Sequence, residues 1–267
     1  MLSPLVSFII PFFNSGETIQ ETIDSIFNQS YENFDVWIIN DGSTEINALE
    51  KLKEFESNPQ INILHQENAG PGKARNLAAN YSTAEYYVFL DSDDLIYKES
   101  LDFLLSEMIE TDDILYGNCS YFGEKSGLKK QTETSTRDIL VGNPIALCSL
   151  IRASSFDQIK FDENLDKLGL EDWELFISML SRGMMLRYLN SEPLFEIRVS
   201  LQSRTWQVAN KNSNDVLYYI SKKHHKVLYE HYKAIHQELK QEKELIDRKI
   251  GQLVMMPYRF IKKIITR

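Results

Sequence analysis

Through the first hundred residues, short apolar runs alternate with stretches of helical period, and nothing else in the chain constrains the fold as strongly. Val6–Pro11, Phe34–Asn40, Ile61–His65 and Tyr86–Leu90 have the length and the β-branched and aromatic content of buried strands. Between them, Gly16–Asn28 carries Ile19, Ile23, Ile26 and Phe27 on one helical face. Glu45–Glu56 reads as a polar helix, and Pro71–Asn80 as a helix opened by proline in its first turn. Strands separated by helices pair in parallel, because a crossover is long enough to return the chain to the same edge. The fold class expected is α/β: a Rossmann-like, mostly parallel sheet flanked by helices, with a helical extension at the C-terminus.

The alternation weakens after the fourth strand. Leu101–Ile109 reads as a helix, Ile114–Tyr121 as a strand, and the polar Gly123–Arg137 as an exposed loop or hairpin tip. Asp172–Leu180 places Trp173, Phe176, Ile177 and Leu180 on one helical face. Charged helix formers dominate from Asn214 to Leu253, so a boundary is drawn at Asn210–Ser213, giving a body over 1–210 and a helical basic tail over 211–267.

The net charge of -10 conceals a division. Lys222–Arg267 holds 12 basic and 5 acidic residues, leaving 17 basic and 34 acidic for the preceding 221. Such an acidic body argues against nucleic acid as a partner, whereas the tail suits an anionic membrane surface or an acidic partner. Cys119 and Cys148 have neither CxxC spacing nor a disulfide framework, as expected of free thiols in a reducing cytoplasm. No run reaches the roughly 18 apolar residues of a spanning helix, and the N-terminus lacks a basic region before its apolar stretch, so export is not expected.

In open α/β sheets, ligands collect beyond the carboxyl ends of the strands. After the first strand stand Pro11, Phe13 and Asn14, with an aromatic able to stack on a base. After the second stands Asp41-Gly42-Ser43-Thr44, equally readable as a plain Asp-Gly turn. After the third, glycines at 70 and 72 lead into a helix bearing Lys73 and Arg75, a candidate anion cradle because helix N-termini offer free N–H groups. After the fourth come Asp91-Ser92-Asp93-Asp94, a hard oxygen site suited to Mg²⁺ or Mn²⁺ holding a diphosphate. An EF-hand is excluded by Leu95 and Ile96 where an oxygen ligand and a glycine belong. Glu171 and Asp172 open the later helix, and adjacent carboxylates at an apolar mouth can have one pKa raised into the range of a general base.

In this order and spacing, over residues 5 to 205, these segments resemble the family 2 glycosyltransferases of GT-A fold. The resemblance implies a metal-dependent inverting transferase taking a sugar from a nucleoside diphosphate donor, with the nucleotide-sugar part over 1–97 and the acceptor side over 98–210. It implies that Phe13 stacks on the nucleobase, Asp41 hydrogen-bonds it and Arg75 lies near the nucleotide. Asp91 faces the ribose or the metal, Asp93 is the main metal ligand, and Asp172 is the base, with Glu171 as the weaker candidate. One departure stands out: many relatives end this region with Arg-x-His, whereas here Arg198-Val199-Ser200 puts a serine at the histidine position.

The acceptor expected is a glycan or lipid-linked precursor at the cell surface, with Gly123–Arg137 and Gly142-Asn143-Pro144 as acceptor-side segments. In the tail, a helix restarted at Pro257 aligns Phe260, Ile261, Ile264 and Ile265 beside basic residues, the pattern of an interfacial helix at the inner face of the cell membrane. The same face could instead pack on the body or on a second copy in a homo-oligomer. Two other readings stay open: a nucleotide-binding assembly subunit with little turnover, suggested by Ser200, and an aspartyl-nucleophile phosphatase, which would carry its Asp-x-Asp on the first strand.

Overall fold

Side-chain alternation along the first strand sets the layering. In β1 (Val6–Phe12), Val6, Phe8, Ile10 and Phe12 join the core on one face of the sheet and Ile9 joins the core on the other. The computed structural model describes residues 3–166, 168–200 and 210–265, with backbone alone for 210–213, 247–248 and 250–265. Elements then alternate as α1 (Ile19–Phe27), β2 (Phe34–Asp41), α2 (Ile46–Phe55), β3 (Ile61–Gln66), α3 (Pro71–Tyr81) and β4 (Tyr86–Phe89). α1 and α2 cover the first face through Ile19, Ile23, Ile26, Leu52 and Phe55, and α3 covers the second through Ala74, Ala78 and Ala79. The strands pair in parallel, Val6 opposite both Phe34 and Tyr86, and Val36 opposite Ile61.

Further along lie β5 (Leu95–Ile96), α4 (Ser100–Glu107), β6 (Ile114–Gly117), β7 (Cys119–Gly123), β8 (Gly127–Lys129), α5 (Thr136–Val141), β9 (Leu150–Arg152), α6 (Ala153–Phe156), α7 (Glu171–Ser181), β10 (Leu186–Leu189) and β11 (Phe195–Val199). They complete a seven-stranded sheet of order β10-β6-β9-β4-β1-β2-β3 and a four-stranded sheet of order β5-β11-β7-β8. β9 runs antiparallel between β4 and β6, so the sheet is mostly but not wholly parallel. Because β1 lies between β2 and β4, the chain order reverses there, and the crevice above β1 and β4 is the place for a ligand.

The strand expected over Ile114–Tyr121 is in fact two strands in different sheets. Asn118 makes the corner: its Nδ2 donates to Ser191 O at 2.6 Å, its Oδ1 accepts from Gln131 N at 3.0 Å and Tyr188 OH at 2.9 Å, and its own carbonyl accepts from Leu194 N at 2.8 Å. A buried break in a ladder needs such substitutes, since unpaired polar groups away from water are costly.

The chain forms two compact units, Met1–Ile220 and Ser221–Arg267. The helix expected over Asn214–Leu253 is divided into α8 (Asn210–Lys223) and α9 (His225–Ile265), and α9 continues through Pro257 instead of restarting there, losing one backbone bond. The side chains invoked for the basic tail, from Ile250 onward and at Arg248, lie outside those described, as do Leu201–Ser203. Among the described residues no helix is long and apolar enough to cross a membrane.

Asp112 clamps the far half of the large sheet. Its carboxylate, 1% exposed, accepts from Arg187 Nη2 at 2.7 Å and Ile109 N at 3.0 Å, and its carbonyl accepts from Arg152 Nε at 3.0 Å. Burial opposes the ionised form, but Arg187 outweighs it and the pKa is lowered. That contribution is complete above the unfolded value of about 4 and is lost as pH falls through the lower folded value. Urea titration of Asp112→Ala at neutral pH should show a loss of about 2–3 kcal/mol that narrows toward the acid limit.

Candidate active site

Backbone turns at the strand ends aim the acidic side chains. After β4, Asp94 N donates to Asp91 O at 3.1 Å, and Thr18 Oγ1 at the mouth of α1 holds Ser92 O at 2.9 Å. Asp94 itself turns inward, where its Oδ1 accepts from Arg198 N of β11 at 2.8 Å. It is a buried tie between the acidic loop and the small sheet, which leaves Asp91 and Asp93 as the projecting pair. Burial and the Asp91 charge push the Asp93 carboxyl up to about 6, while Arg198 pulls the other way.

Arg198 is the arginine of the Arg198-Val199-Ser200 segment. Its Nε donates to Asp93 O at 3.2 Å, its Nη2 to Glu21 at 2.6 Å, and the guanidinium lies over Phe122 at 4.3 Å. Thus a fixed cation stands beside the acidic loop. Among the described residues no three His, Cys, Asp or Glu side chains gather as a metal site. Asp91 and Asp93 nonetheless fit Mg²⁺ or Mn²⁺, which need only one or two carboxylates when phosphate and water complete the shell.

Arg75, 2% exposed, lies in the first turns of α3 and joins two distant segments. Its Nη2 donates to Asp91 Oδ1 at 2.6 Å and its Nη1 to Glu171 Oε1 at 3.0 Å, with the Phe161 ring 5.2 Å from the guanidinium. Burial favours losing the proton, yet the two carboxylates more than reverse this and the pKa is raised. Glu171 is therefore engaged, and the next residue, Asp172, is held differently. Asp172 Oδ1 accepts from Trp173 N at 2.8 Å and Oδ2 from Asn143 Nδ2 at 2.8 Å. Burial and the adjacent Glu171 charge raise the Asp172 carboxyl to about 6.

The anion cradle expected at the start of α3 is already filled. Asp166 Oδ1 accepts from Gly72 N at 2.6 Å and Oδ2 from Lys73 N at 3.0 Å, so the helix N-terminus is neutralised by the chain's own carboxylate. A Cβ at Gly70, whose φ is 106°, would meet the Asp166 Cβ at 2.4 Å, which is why glycine is needed there. No signal in the sequence pointed to Asp166, which lies 94 positions from Gly72 and outside any periodic segment. The Lys73 side chain is exposed.

Asp41 accepts from Gln66 Nε2 and Ala69 N at 2.7 Å and from Gly70 N at 2.9 Å, shaping the loop after β3. Asn14, at φ 54°, accepts from the Thr44 and Glu45 N–H groups at 2.8 and 3.1 Å and so fixes the turn that leads into α2. Pro11 is half-buried opposite Ile39, and Phe13 is 47% exposed at the end of β1.

Residues 7–167 match the model of the glycosyl transferase family 2, more than half of the chain. The chain belongs to this family. It is 33% identical over 223 residues to an uncharacterized glycosyltransferase of Rickettsia bellii, covering 79% of this chain and 31% of that protein. It is 32% identical over 224 residues to the glycosyltransferase GlyA of Streptococcus pneumoniae, covering 75% and 32%. The chain thus spans about a third of the length of these relatives. Among solved structures, S. aureus TarS 1–349 in complex with UDP-GlcNAc superposes with a TM-score of 0.62 at 22% identity, covering 74% and 59%. The mannosyltransferase PcManGT of Pyrobaculum calidifontis, in complex with GDP-Man and Mn2+, superposes at 0.55 with 17% identity, covering 77% and 59%. These likenesses bear out the GT-A-like architecture expected from the strand and helix order.

Replacing the internal cap should weaken α3 without touching any projecting carboxylate. Asp166→Ala is expected to lower the unfolding free energy by about 1–2 kcal/mol in chemical denaturation, the cost of an unanswered helix N-terminus.

Proposed function

We propose that this family 2 protein is a metal-dependent inverting glycosyltransferase, a hexosyl- or hexosaminyl-transferase using a UDP-sugar. The acceptor is a hydroxyl of a cell-surface glycan or its lipid-linked precursor. The observation that carries the reading is the link from Asp91 through Arg75 to Glu171, which fixes the metal-suited pair at the end of β4 relative to the start of α7, where the next residue, Asp172, has a pKa of about 6. A site for phosphate charge and a base poised for a hydroxyl are what a single displacement needs. UDP-GlcNAc on TarS, and GDP-Man with Mn2+ on PcManGT, support the donor class and the ion.

In this reading Phe13 stacks on the base, and Asp41, besides shaping its loop, accepts from a base N–H with a remaining lone pair. Asp91 and Asp93 hold the divalent ion, which when bound neutralises charge on the leaving diphosphate. Arg198 adds a fixed positive charge beside Asp93. The acceptor oxygen attacks the anomeric carbon from the face opposite the diphosphate, the bond from that carbon to the phosphate oxygen breaks, and Asp172 takes the hydroxyl proton. One such step inverts the configuration and leaves no sugar on the protein.

A thermal-shift panel of nucleoside diphosphate sugars with Mn2+ should single out a UDP-sugar, since a ligand of the folded site raises apparent stability with occupancy. Asp93→Ala should abolish that metal-dependent shift, whereas Asp172→Asn should keep it and lose transfer. Retained binding with no turnover in the unsubstituted protein would favour the assembly-subunit reading that Ser200 suggests. Because Asp172 acts ionised, transfer should rise with pH through about 6 and level off above it.

The basic tail places the protein at the inner face of the membrane in this proposal, near a lipid-linked acceptor. Each cation near an anionic leaflet contributes about 1 kcal/mol. Vesicles rich in phosphatidylglycerol should float the full chain and not one truncated after 247; equal flotation of both removes the tail from the account.

A further inference from the structure

The base proposed above does not hold its own orientation. Asp172 Oδ1 is turned back to the N–H of the next residue, and the remaining contact, at Oδ2, comes from Asn143 at 2.8 Å. Two features make Asn143 a rigid donor. Its backbone precedes Pro144, which restricts it to extended conformations. Just beyond, Ile145 and Ala146 are buried, and Ala146 N is held by Gln131 Oε1 at 2.7 Å. The helix carrying Asp172 is pinned to the same neighbourhood, because Trp173 Nε1 donates to Ile139 O of α5 at 2.5 Å.

The other end of the Asn143 amide argues that its purpose is not stability. Its Oδ1 is buried and has no hydrogen-bond partner among the described residues. An unanswered buried carbonyl costs free energy that an apolar side chain of similar size would not incur. An asparagine selected for the fold would satisfy both ends, whereas this one satisfies only the end that faces Asp172. Sites that give up stability in this way are commonly those that serve activity.

We propose that Asn143 is a positioning residue that fixes the Asp172 carboxylate by donating to Oδ2, an inference that rests on Asp172 being the base. A donor to the ionised form also keeps that form accessible near neutral pH. The charged groups around Asp172 are Glu171 beside it on α7, Arg75 from α3 and Asp91 at the end of β4. On α5, Asp138 is occupied in the Ser135 capping box, with Arg137 next to it.

The test reads the carboxyl directly. In protein labelled with ¹³C at the aspartate carboxyls, the Asp172 resonance is assigned by its loss in Asp172→Asn and followed with pH. Asn143→Leu should move its midpoint from about 6 upward by about one unit, because the anion loses its donor, without lowering the melting temperature. Asn143→Asp, a second variant that keeps the polarity, should move it further up by placing like charge opposite. An unchanged or lower midpoint in both variants overturns the proposal, and so does an unchanged midpoint accompanied by a lower melting temperature, which would make Asn143 structural. The base reading fails separately, if Asp172→Asn still releases UDP from the donor selected by the thermal panel.

Discussion

A guanidinium sealed from water between two carboxylates is the contact on which the rest of this site depends. Removing a positive charge from solvent is costly, and Arg75 is 2% exposed. The cost is offset by ion pairs to Asp91 at 2.6 Å and Glu171 at 3.0 Å, one from the end of β4 and one from the start of α7. Because the planar fork reaches both at once, it sets where α7 begins relative to the large sheet. The same contact divides the labour between two adjacent acids. Glu171 is engaged by a cation, and burial together with the adjacent Glu171 charge moves the Asp172 pKa toward neutrality.

Charge placement around the crevice follows a second economy. The N-terminus of α3 would ordinarily attract an anionic ligand, but Asp166 already answers Gly72 and Lys73 there. Besides Arg75, which meets Asp91, a second fixed cation beside the acidic loop is Arg198, anchored by Glu21 and Phe122 and touching the backbone of Asp93. In the proposed function, attraction for a diphosphate is thus placed at the end of β4, where Asp91 and Asp93 would hold a divalent ion, rather than at a helix dipole. Asp94 shows how similar residues in one tetrapeptide are sorted by direction alone: its carboxylate faces inward to Arg198 N and binds two sheets together.

Much of the first hundred residues was legible because parallel strands buried on both faces are near-continuous apolar runs, and the helices between them carry apolar residues on one face. The acidic tetrapeptide, Arg75 and the Glu171-Asp172 pair stood out for the same reason, as polar residues at the ends of readable elements. Beyond residue 97 the signal fails for identifiable causes. β9 has three residues, too few to show a period, yet it lies inside the large sheet between β6 and β4. Ile114–Tyr121 looks like one strand because Asn118, the corner, differs from its neighbours only in bonds to Ser191, Gln131, Tyr188 and Leu194 that come from remote segments. Asn14 and Asp41 stand out at strand ends, but nothing local in the sequence shows that they also shape the loops that follow β2 and β3.

The amino-acid order by itself determined the alternating architecture, the family and the acidic loop after the fourth strand, since these depend on residue types close together along the chain. Only the tertiary structure decided which carboxylate each cation would meet. Arg75 selects Glu171 from 96 positions away, Asp166 occupies the helix that looked open to phosphate from 94 away, and Asn143 reaches Asp172 from 29 away. Hydrogen bonds and ion pairs act over about 3 Å. Partners separated by dozens of residues leave no mark on local sequence until the sheet and its helices bring them within that reach.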